Sequence, residues 1–113
     1  MKYYHNPRCS KSRIGLKFLK SKNINPTIIE YIKTPLNPDE IEKLLTLLDM
    51  SPYELIRKNE SVFKTEIKGK DLDDSQLIDL MAKEPKLIER PILVINGKAT
   101  IGRPVENFLK LID

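Results

Sequence analysis

The sequence predicts an α/β fold: a mixed four-stranded sheet with helices packed on it and a helical insertion between the second and third strands. Three observations carry this. The chain begins with a strand–helix–strand succession, the signature of a right-handed βαβ unit with parallel strands. Its middle third carries proline-marked helix starts followed by apolar residues at helical spacing. Near the end, two β-rich runs flank Asn96-Gly97, the strongest short-range hairpin signal.

The elements follow in order. Met1 to Tyr4 is a short apolar run that reads as the first strand. Asn6-Pro7 marks a turn. From Ser10 to Ser21, Ile14, Phe18 and Leu19 recur at helical spacing, and Asn23 and Asn25-Pro26 end the helix. Thr27-Ile28-Ile29-Glu30-Tyr31 is β-branched and reads as the second strand. Asn37-Pro38-Asp39-Glu40 combines an N-cap, a proline at the first helical position and an acid three residues on. Ile41, Leu44, Leu45 and Leu48 then share one face. Ser51-Pro52-Tyr53-Glu54 repeats the pattern for a shorter helix through Leu55 and Ile56. A further short helix is expected over Ser61 to Ile67, with Val62, Phe63 and Ile67 apolar. Asp73 or Asp74 caps another, with Leu77, Leu80 and Met81 inward and Pro85 stopping it. Pro91 to Ile95 and Lys98 to Ile101 form the hairpin. Gly102-Arg103-Pro104 is expected to open a last helix with Val105, Phe108, Leu109 and Ile112 on one face. This order, β-α-β, helical insertion over about residues 37–85, then β-β-α, is a thioredoxin-like arrangement within one domain spanning 1–113.

The bulk composition narrows the classes. A length of 113 residues, 40% hydrophobic and 32% charged, suits one globular domain able to bury a moderate core. One cysteine excludes an internal disulfide framework, and with a single histidine it leaves little to hold a metal, so no metal and no bound cofactor are expected. No apolar run reaches membrane-spanning length, and Met1-Lys2-Tyr3-Tyr4 is not a signal peptide. The reading is a cytoplasmic protein, and a monomer, because no long apolar stripe is left over. The net charge is +4, with lysines scattered and no basic run interleaved with aromatics. That reads as a solvated surface with a lysine excess, with which a small anionic substrate is equally compatible, and nucleic acid is not the expected partner.

The lone Cys9 stands in His5-Asn6-Pro7-Arg8-Cys9-Ser10-Lys11-Ser12-Arg13, between a strand and a helix. Amides at a helix start and nearby cations favour the thiolate, the nucleophilic form. The position three residues on is Ser12, so the motif is Cys-x-x-Ser and no internal disulfide can close. Any redox cycle needs an outside thiol. Ser12 caps the first turn or donates to the sulfur. His5 either tunes the thiolate or is simply a strand-end histidine. Arg57, Arg90 and Arg103 all sit at element ends beside prolines or loops, where planar bidentate donors suit a tetrahedral oxyanion. Arg13 adds positive charge beside Cys9. Pro91 precedes the third strand, where thioredoxin-like folds commonly place a cis-proline facing the thiol, although an X-Pro bond taken alone reads as trans.

His5-Asn6-Pro7-x-Cys9-x-x-Ser12-Arg13, Arg57-Lys58-Asn59, Glu89-Arg90-Pro91-Ile92 and Gly102-Arg103-Pro104, in that order along the chain, resemble the glutaredoxin-dependent arsenate reductases in a short form. The resemblance implies a role for each matched position. Cys9 attacks arsenate, with His5 helping to hold the thiolate and Ser12 assisting. Arg57, Arg90 and Arg103 bind the oxyanion, with Arg13 beside Cys9 as a further binding residue. Glutathione is the co-substrate that attacks the adduct, and glutaredoxin removes the mixed disulfide. Two alternatives stand beside it. Spx-type regulators share the fold and bind RNA polymerase, but usually carry Cys-x-x-Cys and tend to lack the Asn-Pro-x-Cys histidine and the Arg-Pro before the last helix. A glutathione-linked monothiol oxidoreductase would need Cys9 but not all three arginines.

Overall fold

The computed structural model describes residues 1–112. Four strands, β1 (Lys2–Tyr4), β2 (Thr27–Ile29), β3 (Ile92–Ile95) and β4 (Lys98–Ile101), form one sheet in the order β2-β1-β3-β4. β1 pairs parallel with β2, setting Tyr3 opposite Ile28, and antiparallel with β3, setting Tyr3 opposite Leu93. β3 and β4 close the hairpin with Ile95 opposite Lys98. At its tip Asn96 and Gly97 both have positive φ, 50° and 74°, as a two-residue type I′ turn requires. This is the mixed thioredoxin-like sheet that the order of elements predicts.

The helices are α1 (Ser10–Ser21), α2 (Pro38–Leu48), α3 (Pro52–Leu55), α4 (Ser61–Glu66), α5 (Asp74–Lys83) and α6 (Leu109–Ile112). Capping boxes at Asn37/Glu40, Ser51/Glu54 and Asp73/Gln76 satisfy the free N–H groups that open α2, α3 and α5. Two compact units result. One comprises Met1–Thr34 with Arg90 to the end of the chain, and contains the whole sheet, α1 and α6. The other, Pro35–Glu89, contains α2 to α5 around buried Ile41, Leu44, Leu45, Leu55, Leu77, Met81 and Leu87. An antiparallel bridge between Ile56 and Ile88 ties its last residues back to the end of α3. The division uncovers a charge separation behind the scattered lysines. The sheet-bearing unit has twelve basic and three acidic residues, and the helical unit eight basic and thirteen acidic.

Three expectations change in the structure. Ile14 is 50% exposed; α1 buries Leu19 as its spacing predicts, together with Ser12 and Gly15. Ile14 lies one step round the helix from the packed stripe, in which Gly15 lets Tyr3 and Phe108 come close. The last helix is broken: a 3₁₀ turn over Val105–Phe108 precedes α6. The Asn107 side chain donates to the carbonyls of Ile101 and Arg103, at 3.2 Å each, and so competes with regular helix. β2 stops at Ile29, two residues early, as Glu30 O accepts from both Lys33 and Thr34 in a turn.

The core of the sheet-bearing unit is Tyr3, Leu19, Leu93 and Phe108, all fully buried. Tyr3 and Phe108 meet edge to face, with ring centroids 6.0 Å apart. Tyr3 passes beneath α1 at Gly15, where a Cβ would run into the Tyr3 hydroxyl and lie 3.1 Å from Phe108 Cε2 and Pro91 Cγ. Gly102 allows the same closeness to the Phe108 ring. Gly15→Ala is therefore expected to destabilise the protein by about 1–3 kcal/mol, the usual cost of overpacking, when urea unfolding is compared with wild type. An unchanged midpoint would contradict the close passage of Tyr3.

Candidate active site

The site begins with the turn between β1 and α1. Asn6 organises it: its carbonyl accepts from Cys9 N at 3.0 Å, and its side-chain oxygen accepts from Arg8 N at 3.1 Å. Cys9 is the N-cap of α1, with extended backbone (φ −92°, ψ 121°), and its carbonyl accepts from Arg13 N at 3.1 Å. The thiol thus replaces the usual capping oxygen at the positive end of the helix dipole. It is partly buried.

Burial alone would push this thiol up. The Ser12 N–H, the Arg90 guanidinium and the Lys11 N–H outweigh it and hold Cys9 below the ordinary thiol range. Neither N–H closes a full capping bond to the sulfur, so both act as oriented dipoles. Arg103 supplies a second cation, donating from Nη2 to Cys9 Sγ at 3.4 Å. Its Nε donates to Arg90 O at 2.7 Å, which locks the guanidinium against the backbone that carries Arg90. Arg90 is itself only 6% exposed. Both Arg90-Pro91 and Arg103-Pro104 are cis peptides, the first at the expected place and the second unforeseen. Gly102 N donates to Pro91 O at 2.9 Å, joining the two segments.

Ser12 is fully buried and serves as a junction. Its hydroxyl accepts from Asn6 N at 3.0 Å and lies 2.7 Å from His5 Nδ1. Its carbonyl accepts from the Tyr3 hydroxyl at 2.6 Å. One lone pair of the hydroxyl is taken by the Asn6 N–H, and the direction of the bond to His5 Nδ1 follows the ring tautomer. Burial chiefly, with Arg13 and Lys20 adding to it, lowers the His5 pKa, against an upward pull from Glu30. The imidazole is therefore neutral at pH 7. His5 bonds the Ser12 hydroxyl and is not among the groups that hold Cys9 down. Ser12 acts on the sulfur through its backbone N–H while its hydroxyl faces His5 and Asn6.

The structure thus brings Cys9, Ser12, His5, Arg90 and Arg103 into one connected set. Arg13 is employed otherwise: its Nη1 donates to Pro7 O at 2.8 Å and braces the turn. Arg57 belongs to the helical unit, where it pairs with Glu60 at 3.4 Å and Glu89 at 3.2 Å while its N–H donates to Leu87 O. Burial first of all raises the Tyr3 pKa well above the ordinary phenol value, with the Cys9 charge adding to it, so Tyr3 stays protonated as a donor. Tyr3 and Asn6 were missed as site residues. Asn6-Pro7 announces a turn, but nothing local says that a β-strand tyrosine reaches a helix carbonyl. The isolated Gly15 within a helical pattern was the available hint of a close approach.

A single activated cysteine at the start of the first helix, backed by two arginines and with no second thiol, defines a monothiol member of the thioredoxin-like proteins. The chain belongs to the ArsC family, whose model matches residues 4–111. It is 44% identical to protein YfgD of Escherichia coli K12 over 99% of this chain and 96% of that protein. It is 37% identical to an arsenate reductase of Neisseria meningitidis over 95% of this chain and 93% of that protein. The structure of an arsenate reductase from Vibrio cholerae superposes with a TM-score of 0.92 at 40% identity, covering 97% of both chains.

Two outcomes follow. Alkylation of Cys9 followed against pH is expected to show an apparent pKa below the free-thiol value of about 8.5, moving upward in Arg103→Ala. An unshifted midpoint in wild type would remove the activated thiolate. For His5, the folded state binds its proton more weakly than the unfolded state does. Its contribution to stability is complete above a pH of about 6.5 and is lost as the pH falls below that. An NMR titration of the imidazole should give a midpoint under that value, and one above it would reverse the assignment.

Proposed function

We propose that the protein is an arsenate reductase whose nucleophile is Cys9 and whose cycle is completed by glutathione and glutaredoxin. The observation that carries this reading is the Cys9 sulfur held at a helix start with Arg103 on it and Arg90 lowering its pKa. Membership in the ArsC family and the names of the relatives support the choice of oxyanion.

The proposed sequence conserves atoms and electrons at each step. The thiolate attacks arsenic and forms an S–As bond, while one arsenate oxygen takes up protons and leaves as water; arsenic stays pentavalent. Arg90 and Arg103, fixed by their contacts to each other and to the turn, neutralise charge on the oxyanion as it forms. Glutathione thiolate then attacks the Cys9 sulfur. The S–As bond breaks with its electron pair passing to arsenic, which leaves as trivalent arsenite, and an S–S bond forms between Cys9 and glutathione. A glutaredoxin thiol removes the glutathione by exchange and returns Cys9 as thiolate. No internal thiol competes, because the third residue after Cys9 is Ser12. The part assigned to Arg57 rests on its motif alone and is tested by its own variant. Such a cycle suits a reducing compartment, and no described helix is long and apolar enough to cross a membrane.

A coupled assay with arsenate, glutathione and glutaredoxin tests the proposal. Turnover should need all three, vanish in Cys9→Ser, and fall by roughly tenfold or more in kcat/KM in Arg90→Ala, Arg103→Ala and Arg57→Ala, the loss of a hydrogen bond to a charged group. Absence of arsenate-dependent turnover with every component present would defeat it.

A further inference from the structure

A groove of about 360 Å³ lies in the sheet-bearing unit, lined by Lys11, Ile14, Gly102, Arg103, Pro104, Val105 and Glu106. It shares two residues with the set that polarises Cys9, Arg103 and, through its backbone N–H, Lys11; Ser12 and Arg90 lie outside its lining. Its volume falls within the range of roughly 300–1,000 Å³ typical of small-molecule sites. Its walls are of two kinds. Ile14, half-exposed on α1, and Val105 give an apolar surface. Lys11 and Glu106 are exposed charges of opposite sign, and neither forms an ion pair among the described residues. Arg103, in the lining, is also the residue whose guanidinium donates to the Cys9 sulfur.

We infer that this groove binds the tripeptide thiol that resolves Cys9, an inference that rests on the reductant assigned under the proposed function. Glutathione carries two carboxylates and one ammonium on a short peptide whose central side chain ends in a thiol. Lys11 matches a carboxylate, Glu106 matches the ammonium of the γ-glutamyl end, and Ile14 and Val105 match the methylenes between them. Arg103 links the groove to Cys9 through its hydrogen bond to the sulfur, which places an occupant of the groove beside the nucleophile. The exposure of Ile14, which helical periodicity would bury, has a purpose on this account. Arg90 is outside the groove lining and is left for the anion.

The probe is S-methylglutathione, which carries the same charges but no free thiol. Titrated into the full chain, it should shift the backbone amide resonances of Lys11, Ile14, Val105 and Glu106 saturably, and Glu106→Gln and Ile14→Asp should each weaken that binding about tenfold. In the coupled assay the same variants should raise the KM for glutathione about tenfold and leave the KM for arsenate unchanged. Shifts confined to other residues, or no saturable shift, would overturn the inference. So would variants whose glutathione KM equals that of wild type while arsenate turnover proceeds normally. Saturable binding in the groove by a protein with no arsenate turnover would support the groove and remove the oxyanion reading.

Discussion

Ser12 presents its two oxygens to different parts of the unit, and the site depends on both. Its hydroxyl binds the strand end, through His5, and the turn, through Asn6 N–H; its carbonyl takes the hydroxyl of Tyr3 from within the sheet. Three short hydrogen bonds on a fully buried residue fix the start of α1 against β1. That fixation is what aims the helix-start amides, and so lets Cys9 occupy the N-cap as a sulfur instead of an oxygen. In other proteins of this architecture, a second cysteine at this position would spend its side chain on redox exchange. Here the position is released to act as a structural junction, and the nucleophile is left to rely on an outside thiol.

The cations are arranged with similar economy. Arg103 bonds the Arg90 carbonyl with one nitrogen and reaches the sulfur with another. The position of one arginine is thereby set by the backbone of the other, and the Gly102–Pro91 hydrogen bond draws the two segments together. Removing solvent from a thiolate normally disfavours it, and burial does push Cys9 the wrong way. Oriented N–H dipoles and two guanidinium groups reverse the sign. A neutral His5 fits the same logic: in a unit with twelve basic and three acidic residues, a further positive charge on a buried ring would be opposed by its surroundings.

Much of this was legible along the chain because it depends on local chemistry. Asn37, Ser51 and Asp73 each open a helix where a short polar side chain three residues before a glutamate or glutamine says they should. Asn96-Gly97 turns the hairpin because both residues tolerate positive φ. Cys9 falls between strand and helix because apolar periodicity changes there from two to 3.6. Ile14 and the last helix escaped this reading for one reason. Periodicity ranks residues by their own hydrophobicity, whereas two of the three buried positions of α1, Ser12 and Gly15, are small and not apolar, and the 3₁₀ turn at Val105–Phe108 is held by an Asn107 side chain whose partners lie outside the helix.

The sequence by itself determined the class of fold, the position of a lone thiol at a helix start, its want of an internal partner and its membership among arginine-rich monothiol sites. These follow from residue types at fixed spacing, and spacing survives without coordinates. Only the tertiary structure decided that Arg13 braces a turn, that Ser12 faces His5 and Asn6, that Tyr3 reaches the first turn of α1, and that Lys11, Ile14, Val105 and Glu106 share a groove. Each of those depends on which way a side chain points once distant segments meet. Residue 103 reaches residue 9 only after the sheet has brought β3 and β4 beside β1, and no local rule reports that encounter.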